Sequence, residues 1–146
     1  MKIEIVTADN IRQAAFIHSE SWKASHRFLP ADVVEKRTVD RQTAYLQRQI
    51  DSGKTLYMLT DDIPVGVVSV QDNMIENLYI LPDRQRRGYG RCLLDFAVEQ
   101  CTASPVLTVL CNNTAIEMYR KYGFKETGKV TSLNPDLWEI EMILER

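Results

Sequence analysis

The sequence predicts an α/β (α+β) fold, in which a mixed, mostly antiparallel sheet of about six to seven strands packs against about four to five helices. Residues 54–80 contain three runs of β-branched, aliphatic and aromatic residues separated by short polar turns, which is typical of an antiparallel meander. The strand that ends at Ile80 is followed by a glycine-containing loop, an amphipathic helix and the apolar run Pro105–Leu110. This order predicts a βαβ unit whose two strands are parallel neighbours.

The N-terminal third should contain one strand and two helices. Residues 2–6 alternate as a strand, and Thr7 or Asp9 can cap the helix that follows. His18 falls on the apolar face of this helix, where a packed, hydrogen-bonded histidine is the expected role. Thr38 is a suitable N-cap for the second helix.

The C-terminal third should contain a strand, a short helix and a final strand pair. Pro105–Leu110 is almost wholly apolar, as expected for a strand buried on both faces. Asn112 or Asn113 can cap a short helix that ends at Gly123. Residues 138–144 alternate apolar side chains with glutamates, which predicts a strand with one wet face.

Composition bounds the function classes. The 146 residues carry a net charge of −2 with dispersed basic residues, which argues against a nucleic-acid partner. Three cysteines without CxxC spacing predict neither a disulfide framework nor a metal site. The sequence contains no long apolar run and no signal-peptide pattern, so we expect a single domain over residues 1–146, in the cytoplasm, without a membrane partner.

A phosphate site is predicted where the βαβ loop meets its helix. Gly88 and Gly90 open that helix, whose first N–H groups lack backbone partners and carry the positive end of the helix dipole. Four arginines at positions 84, 86, 87 and 91 add positive charge. Leu93 occupies the third small position of the dinucleotide fingerprint, and the Gly-Lys-Ser/Thr of a nucleoside triphosphate loop is absent, which disfavours those two ligands.

Two motifs in this order resemble those of the GNAT superfamily of N-acetyltransferases. The loop Gln85–Gly90 resembles the family's acetyl-coenzyme A (acetyl-CoA) loop, Gln/Arg-x-x-Gly-x-Gly/Ala. One strand later, Asn112–Phe124 matches the family pattern Asn-x-x-Ala-x-x-x-Tyr-x-x-x-Gly-Phe at every fixed position. The resemblance covers residues 56–144 well, whereas the first fifty residues share only the family's general plan. It implies the GNAT fold, with the fourth and fifth strands splayed apart, and acetyl-CoA as cosubstrate without a metal.

The resemblance also implies roles for individual residues. Backbone N–H groups of the fourth strand would hold the pantetheine arm and polarise the thioester carbonyl, and the loop would hold the pyrophosphate. Tyr119 would be the general acid for the departing thiolate. The implied cofactor-binding residues are Leu78, Tyr79, Ile80, Gln85, Arg86, Arg87, Gly88, Tyr89, Gly90, Arg91, Asn112, Ala115 and Tyr119.

The general base and the acceptor are less defined by the sequence. Glu76 stands where many family members carry a catalytic glutamate, but strict alternation puts it on the face of Leu78 and Ile80 unless a bulge intervenes. Asn77 and Tyr79 are competing candidates for lining the acceptor site. An aromatic wall of that site is expected among Trp22, His26, Phe28, Tyr45 and Trp138.

The working hypothesis is transfer of an acetyl group to a small-molecule primary amine. Apolar Val109 and neutral Thr108 stand where some protein-directed members carry a glutamate, which weakens the case for a protein N-terminal acceptor. The alternatives are a protein or peptide N-acetyltransferase, a non-catalytic acyl-CoA sensor and, more weakly, a regulatory domain for another nucleotide. Assembly into a homodimer through the last strands or first helices fits the family, and no sequence feature decides it.

Overall fold

A computed structural model describes all of residues 1–146, and its seven strands form one sheet in the order β1-β2-β3-β4-β5-β7-β6. The strands are β1 Lys2–Ile5, β2 Thr55–Asp61, β3 Ile63–Gln71, β4 Met74–Ile80, β5 Val106–Leu110, β6 Lys125–Asn134 and β7 Leu137–Ile143. The helices are α1 Ile11–Ser25, α2 Ala31–Glu35, α3 Val39–Asp51, α4 Tyr89–Gln100 and α5 Ala115–Tyr122. None of the five helices is both long and apolar enough to cross a membrane.

The sheet separates two hydrophobic cores. Helices α1 and α3 cover one face, where Ala14, Leu46 and Met58 are buried in the same cluster. Helices α4 and α5 cover the other, where Leu93 and Phe124 are buried. The two cores therefore hold both faces of β3 and β4 in fixed positions.

The predicted splay is confirmed. Strands β4 and β5 are parallel but pair at only two positions, Met74 with Val106 and Ile75 with Leu107. Beyond Ile75 the two strands separate, while the other edge of β4 stays paired with β3 up to Ile80. The carboxyl-terminal half of β4 consequently has one free edge, which faces a cleft.

A bulge in β4 changes which face each residue occupies. The register with β3 shifts between Val67 and Ser69, and Asn77 adopts the left-handed conformation with φ of 55°. Glu76 therefore lies on the same face as Asn77 and Tyr79, toward α1 and α3, and not on the face of Leu78. Strict alternation fails here because a bulge adds one residue to one strand.

Several local expectations need correction. The N-cap of α1 is Asn10 instead of Thr7 or Asp9, although the Thr7 carbonyl accepts from the Asn10 and Ile11 N–H groups. Thr38 caps α3 as predicted, accepting from the Arg41 N–H at 3.2 Å. No sequence pattern predicted the short helix α2.

Strand β5 also differs from expectation. Only Leu107 and Val109 are buried, and Thr108 is exposed, so one face of the strand lacks a covering helix. The reason is the splay, because it leaves the α1 side of β5 next to a cleft. A largely apolar run of six residues is too short to distinguish these two environments.

Candidate active site

A cavity of about 430 Å³ lies in the cleft between the free edge of β4, the start of α4 and helix α5. Its wall contains most of the residues predicted to hold acetyl-CoA. Arg87 and Asn112 are exceptions: both are exposed and neither lines the cavity. The lining residues are Ser21, Ser25, Leu78, Tyr79, Ile80, Arg84, Gln85, Arg86, Gly88, Tyr89, Gly90, Arg91, Asn113, Thr114, Ala115, Met118 and Tyr119.

The loop presents a row of backbone donors. No N–H from Gln85 to Arg91 donates to a backbone carbonyl, because the first such bond of α4 is from the Cys92 N–H to the Gly88 carbonyl. Gly88 adopts φ of 86°, and a Cβ built there would have no heavy atom within 4 Å. The space above Gly88 is therefore open and bordered by free donors, which fits a pyrophosphate.

The loop is tied to β4 by its own side chain. Gln85 Nε2 donates to the Ile80 carbonyl at 3.3 Å, and Ser21 Oγ donates to the same oxygen at 2.9 Å. N–H and C=O of one residue in an antiparallel strand point the same way, so the Ile80 N–H also faces away from β3 and toward the cleft. This direction matches the predicted role of the β4 N–H groups.

Asn113 takes the place in the cavity that the motif suggested for Asn112. Its Oδ1 accepts from the Ala115 N–H at 2.9 Å and so caps the first turn of α5. Its side chain is fixed beside Ala115, at the point where the pantetheine arm would pass. The spacing of the motif selects Asn112, but the structure leaves Asn112 exposed and places its neighbour Asn113 in the cavity wall.

Tyr119 lies at the junction of two cavities. It is 7% exposed, and burial raises the pKa of its hydroxyl well above the usual 10. The hydroxyl makes no hydrogen bond within the chain. It is nevertheless not fully buried, because the one fully buried side-chain polar atom without a partner is Gln42 Oε1. The Tyr119 hydroxyl therefore faces the cavities.

The second cavity, of about 570 Å³, lies on the α1 side of the cleft. It shares Leu78, Tyr79, Asn113 and Tyr119 with the first, so the two cavities meet at the splayed strands. Its other lining residues are Trp22, His26, Leu29, Arg37, Tyr45, Ile75, Glu76, Asn77, Leu107, Thr108, Val109, Leu110, Leu133, Leu137 and Glu139.

The aromatic wall is only partly as expected. Trp22, His26 and Tyr45 line the second cavity, and the Trp22 and His26 rings stack with centroids 3.9 Å apart. Phe28 and Trp138 do not line it and are 49% and 41% exposed. The aromatic part of the wall thus comes from α1, from the residue that follows it and from α3, and not from Trp138 near the start of β7.

Glu76 lines the second cavity, where it is already engaged by a cation. Its carboxylate is 2.7 Å from Lys54 Nζ, and about one third of its side chain is exposed. A second carboxylate, Glu139 on β7, lines the same cavity and has no ion-pair or hydrogen-bond partner within the chain. Sequence reasoning missed Glu139 because glutamates alternate along all of β7.

A buried polar network holds the β4 bulge. His18 Nε2 donates to Asn77 Oδ1 at 3.3 Å, Gln42 Nε2 donates to His18 Nδ1 at 2.7 Å, and Asn77 Nδ2 donates to Ser69 Oγ at 3.1 Å. Burial lowers the pKa of His18 to about 4, so the ring is neutral at pH 7. The expected role of His18 as a packed histidine agrees with this geometry.

The acetyltransferase (GNAT) domain family matches residues 25–145. The chain belongs to the GNAT acetyltransferase family. The predicted family is confirmed, and both motifs that indicated it fall within the matched range.

Relatives and solved structures are consistent with this assignment. The peptidyl-lysine N-acetyltransferase YjaB of Salmonella typhimurium is 38% identical over 71 residues, which are 47% of this chain and 47% of that protein. This GNAT chain thus matches about half the length of that relative. The solution structure of apo YjaB from Escherichia coli has a TM-score of 0.71 at 24% identity, covering 98% of this chain and 96% of the other. The PaiA N-acetyltransferase of Thermoplasma acidophilum, crystallised with coenzyme A, has a TM-score of 0.68 at 19% identity, covering 97% and 98%.

Proposed function

We propose that residues 1–146 act as one N-acetyltransferase domain that moves an acetyl group from acetyl-CoA to a small-molecule primary amine. The observation that carries the proposal is the meeting of the two cavities at Tyr119. One cavity offers free N–H donors and arginines that suit the pyrophosphate, and the other offers an aromatic and charged wall that suits an amine. Attack of the amine on the thioester can take place only where both cavities are open to the same atoms.

The reaction is a direct transfer. The amine nitrogen attacks the thioester carbonyl carbon, the C–S bond breaks, and sulfur leaves with the bonding pair as a thiolate. The nitrogen loses one proton, so the products are the N-acetyl amine and the coenzyme A thiol. The free-edge N–H groups of Leu78 and Ile80 are the proposed donors to the carbonyl oxygen as negative charge develops on it.

Tyr119 assists the departing sulfur as a hydrogen-bond donor. A thiol has a reference pKa of about 8.5, whereas burial raises the pKa of Tyr119 above 10. Complete proton transfer from tyrosine to thiolate is therefore uphill, but a hydroxyl that stays protonated can always donate. The general-acid role predicted from sequence is narrowed to this donation, and the thiol's proton comes from the amine through solvent.

Glu76 is the proposed acceptor of the amine proton. It lines the second cavity, and its partner Lys54 fixes the carboxylate in place. The partial exposure of its side chain allows a water molecule to relay the proton from the ammonium form of the substrate. A primary amine with a reference pKa of about 10.4 arrives mostly protonated at pH 7, so this step is needed in every turnover.

A peptide acceptor is the second candidate, because the Salmonella relative is named as a peptidyl-lysine N-acetyltransferase. The second cavity opens beside β6, all ten residues of which are exposed. A peptide laid along that strand could insert a lysine side chain. The small-molecule proposal rests on the cavity being bordered on several sides by α1, α3, β5 and β7 side chains.

The test combines binding and turnover. Acetyl-CoA should raise the thermal midpoint, whereas ATP and NAD should not, because a ligand selective for the native state stabilises it by about 2.7 kcal/mol at one hundred times Kd. Thiol release should then appear with polyamines, amino acids or aminoglycosides. Binding without turnover by any amine would indicate an acyl-CoA sensor, and turnover with lysine peptides alone would move the acceptor to the peptide class.

A further inference from the structure

Arg37 is an unpaired cation in the wall of the second cavity. It follows α2 and directly precedes Thr38, the cap of α3, far in sequence from both family motifs. Its guanidinium has no salt bridge and no side-chain hydrogen bond within the chain, although the group is partly buried. Arginine has five N–H donors, and leaving them without acceptors in a partly dehydrated site is unfavourable.

The guanidinium is held in one place. Its carbon lies 4.3 Å from the centroid of the Trp22 ring, and Trp22 in turn stacks on His26. Ser19 Oγ donates to the Arg37 carbonyl, which fixes the backbone of this residue against α1. A planar fork stacked on an indole has little rotamer freedom left to lose when it binds a ligand.

The electrostatic surroundings favour an anion. Burial lowers the pKa of Arg37, and the nearby Arg41 contributes in the same direction, so no local group neutralises the charge. The Tyr79 phenol stands close by, and burial raises its pKa to about 12, so it is neutral at pH 7. Across the cavity, Glu139 is an unpaired anion. The cavity thus presents one unmatched positive and one unmatched negative group.

We propose that Arg37 is the binding site for an oxyanion of the acceptor, so that the acceptor is an amine that also carries a carboxylate or a phosphate. This inference rests on the proposed acetyl transfer and names its substrate class. The fork of Arg37 binds two oxygens of the anion at once, and Glu139 attracts the ammonium end before attack. A substrate that carries both an oxyanion and an ammonium group therefore pairs with Arg37 and with Glu139.

Matched pairs of amines test the proposal. L-lysine is compared with 1,5-diaminopentane, which lacks only the carboxylate, and O-phosphoethanolamine is compared with ethanolamine. In one of the two pairs, the amine that carries the oxyanion should have at least a tenfold higher kcat/KM than its partner. That pair then shows whether the oxyanion is a carboxylate or a phosphate. In Arg37→Gln the preference should fall to about one, and Arg37→Lys should restore part of it. Arg41→Gln removes a nearby exposed cation outside the cavity and should keep the preference.

Binding gives a readout that does not need turnover. Trp22 lies under Arg37, and Trp138 is the one other tryptophan, so Trp138→Phe leaves Trp22 as the single tryptophan, which can be excited selectively over the tyrosines. Titration with the same four amines should change its fluorescence selectively with the oxyanion member, and Arg37→Gln should abolish the change. Selective binding without thiol release would support the Arg37 site and overturn acetyl transfer to these amines. Equal response to both members of each pair, in turnover and in fluorescence, would overturn the Arg37 site and leave acetyl transfer standing.

Discussion

The two cavities differ in how the chain builds them. The cavity proposed for acetyl-CoA is made largely of consecutive residues, from β4 through the loop into α4, and its donors are backbone N–H groups. The cavity proposed for the acceptor combines β4 with side chains from α1, α3, β5, β6 and β7 and with residues between helices. The proposed acetyl-CoA site is therefore formed largely by a contiguous motif, whereas the proposed acceptor site forms only when distant segments of the chain come together in the fold.

The largest effect is expected at the contiguous site. Gly88→Glu places a carboxylate in the open space above the loop, where it repels a pyrophosphate and strains a residue with φ of 86°. Losing about two charge-assisted contacts corresponds to about a 1,000-fold loss of acetyl-CoA affinity, or about 4 kcal/mol. Isothermal titration with acetyl-CoA measures this loss.

Gly128→Glu is the matched control. Gly128 lies in β6 with φ of 94°, and a Cβ there also meets nothing within 4 Å, so the backbone strain is equal while both cavities are untouched. Normal affinity in this variant, together with loss in Gly88→Glu, would locate the effect in the loop. Unchanged affinity in both variants would remove the phosphate site from Gly88.

The second-largest effect concerns the buried polar network around His18, which holds the β4 bulge beside the second cavity. His18 is neutral in the native protein with a pKa near 4, whereas it would titrate at 6.5 in the unfolded chain. The unfolded state binds more protons than the native state between these pH values. The contribution of neutral His18 to the free energy of unfolding is therefore fully present above pH 6.5 and is lost as the pH falls to about 4. The loss is of the order of 3 kcal/mol, at about 1.4 kcal/mol per pH unit.

Urea unfolding at pH 7.5 and pH 4 measures this dependence. His18→Gln should show a smaller drop in unfolding free energy between the two pH values than the wild type. His26, the one other histidine, is half-buried, so His26→Gln should change the drop much less. An identical drop in the wild type and in His18→Gln would show that the network at the bulge does not titrate.

The contrast between the cavities also explains what the sequence could reveal. The meander, the βαβ crossover and the loop follow from local periodicity, and the splay follows from the family resemblance that two motifs carry, each within a few tens of residues. Arg37 and Glu139 are brought together from opposite ends of the chain, and neither stands in a pattern that differs from an ordinary surface residue. The bulge at Asn77 depends on His18, Gln42 and Ser69, so alternation along β4 alone placed Glu76 on the wrong face.

The third effect tests Tyr119, one of the four residues that both cavities share. Tyr119→Phe removes only the proposed donor to the departing sulfur, so kcat should fall about 30-fold, or about 2 kcal/mol, at unchanged acetyl-CoA affinity. Tyr122→Phe is the matched control, because its hydroxyl bonds Asp95 at 2.8 Å outside both cavities. Equal rates in both variants would leave Tyr119 as a packing residue.

The smallest expected effect tests whether Glu76 accepts the proton of the amine. Glu76→Gln should lower kcat/KM about tenfold at pH 7, because the amine must then lose its proton to bulk water. The deficit should shrink as the pH rises toward the amine pKa of about 10.4, where free amine is plentiful without a base. Glu141→Gln is the control, since Glu141 is also a strand glutamate near a lysine, 3.9 Å from Lys129 Nζ, but lines neither cavity. A deficit of the same size at every pH would mean that Glu76 acts through its ion pair with Lys54 and positions β4, and that the proton leaves by another route.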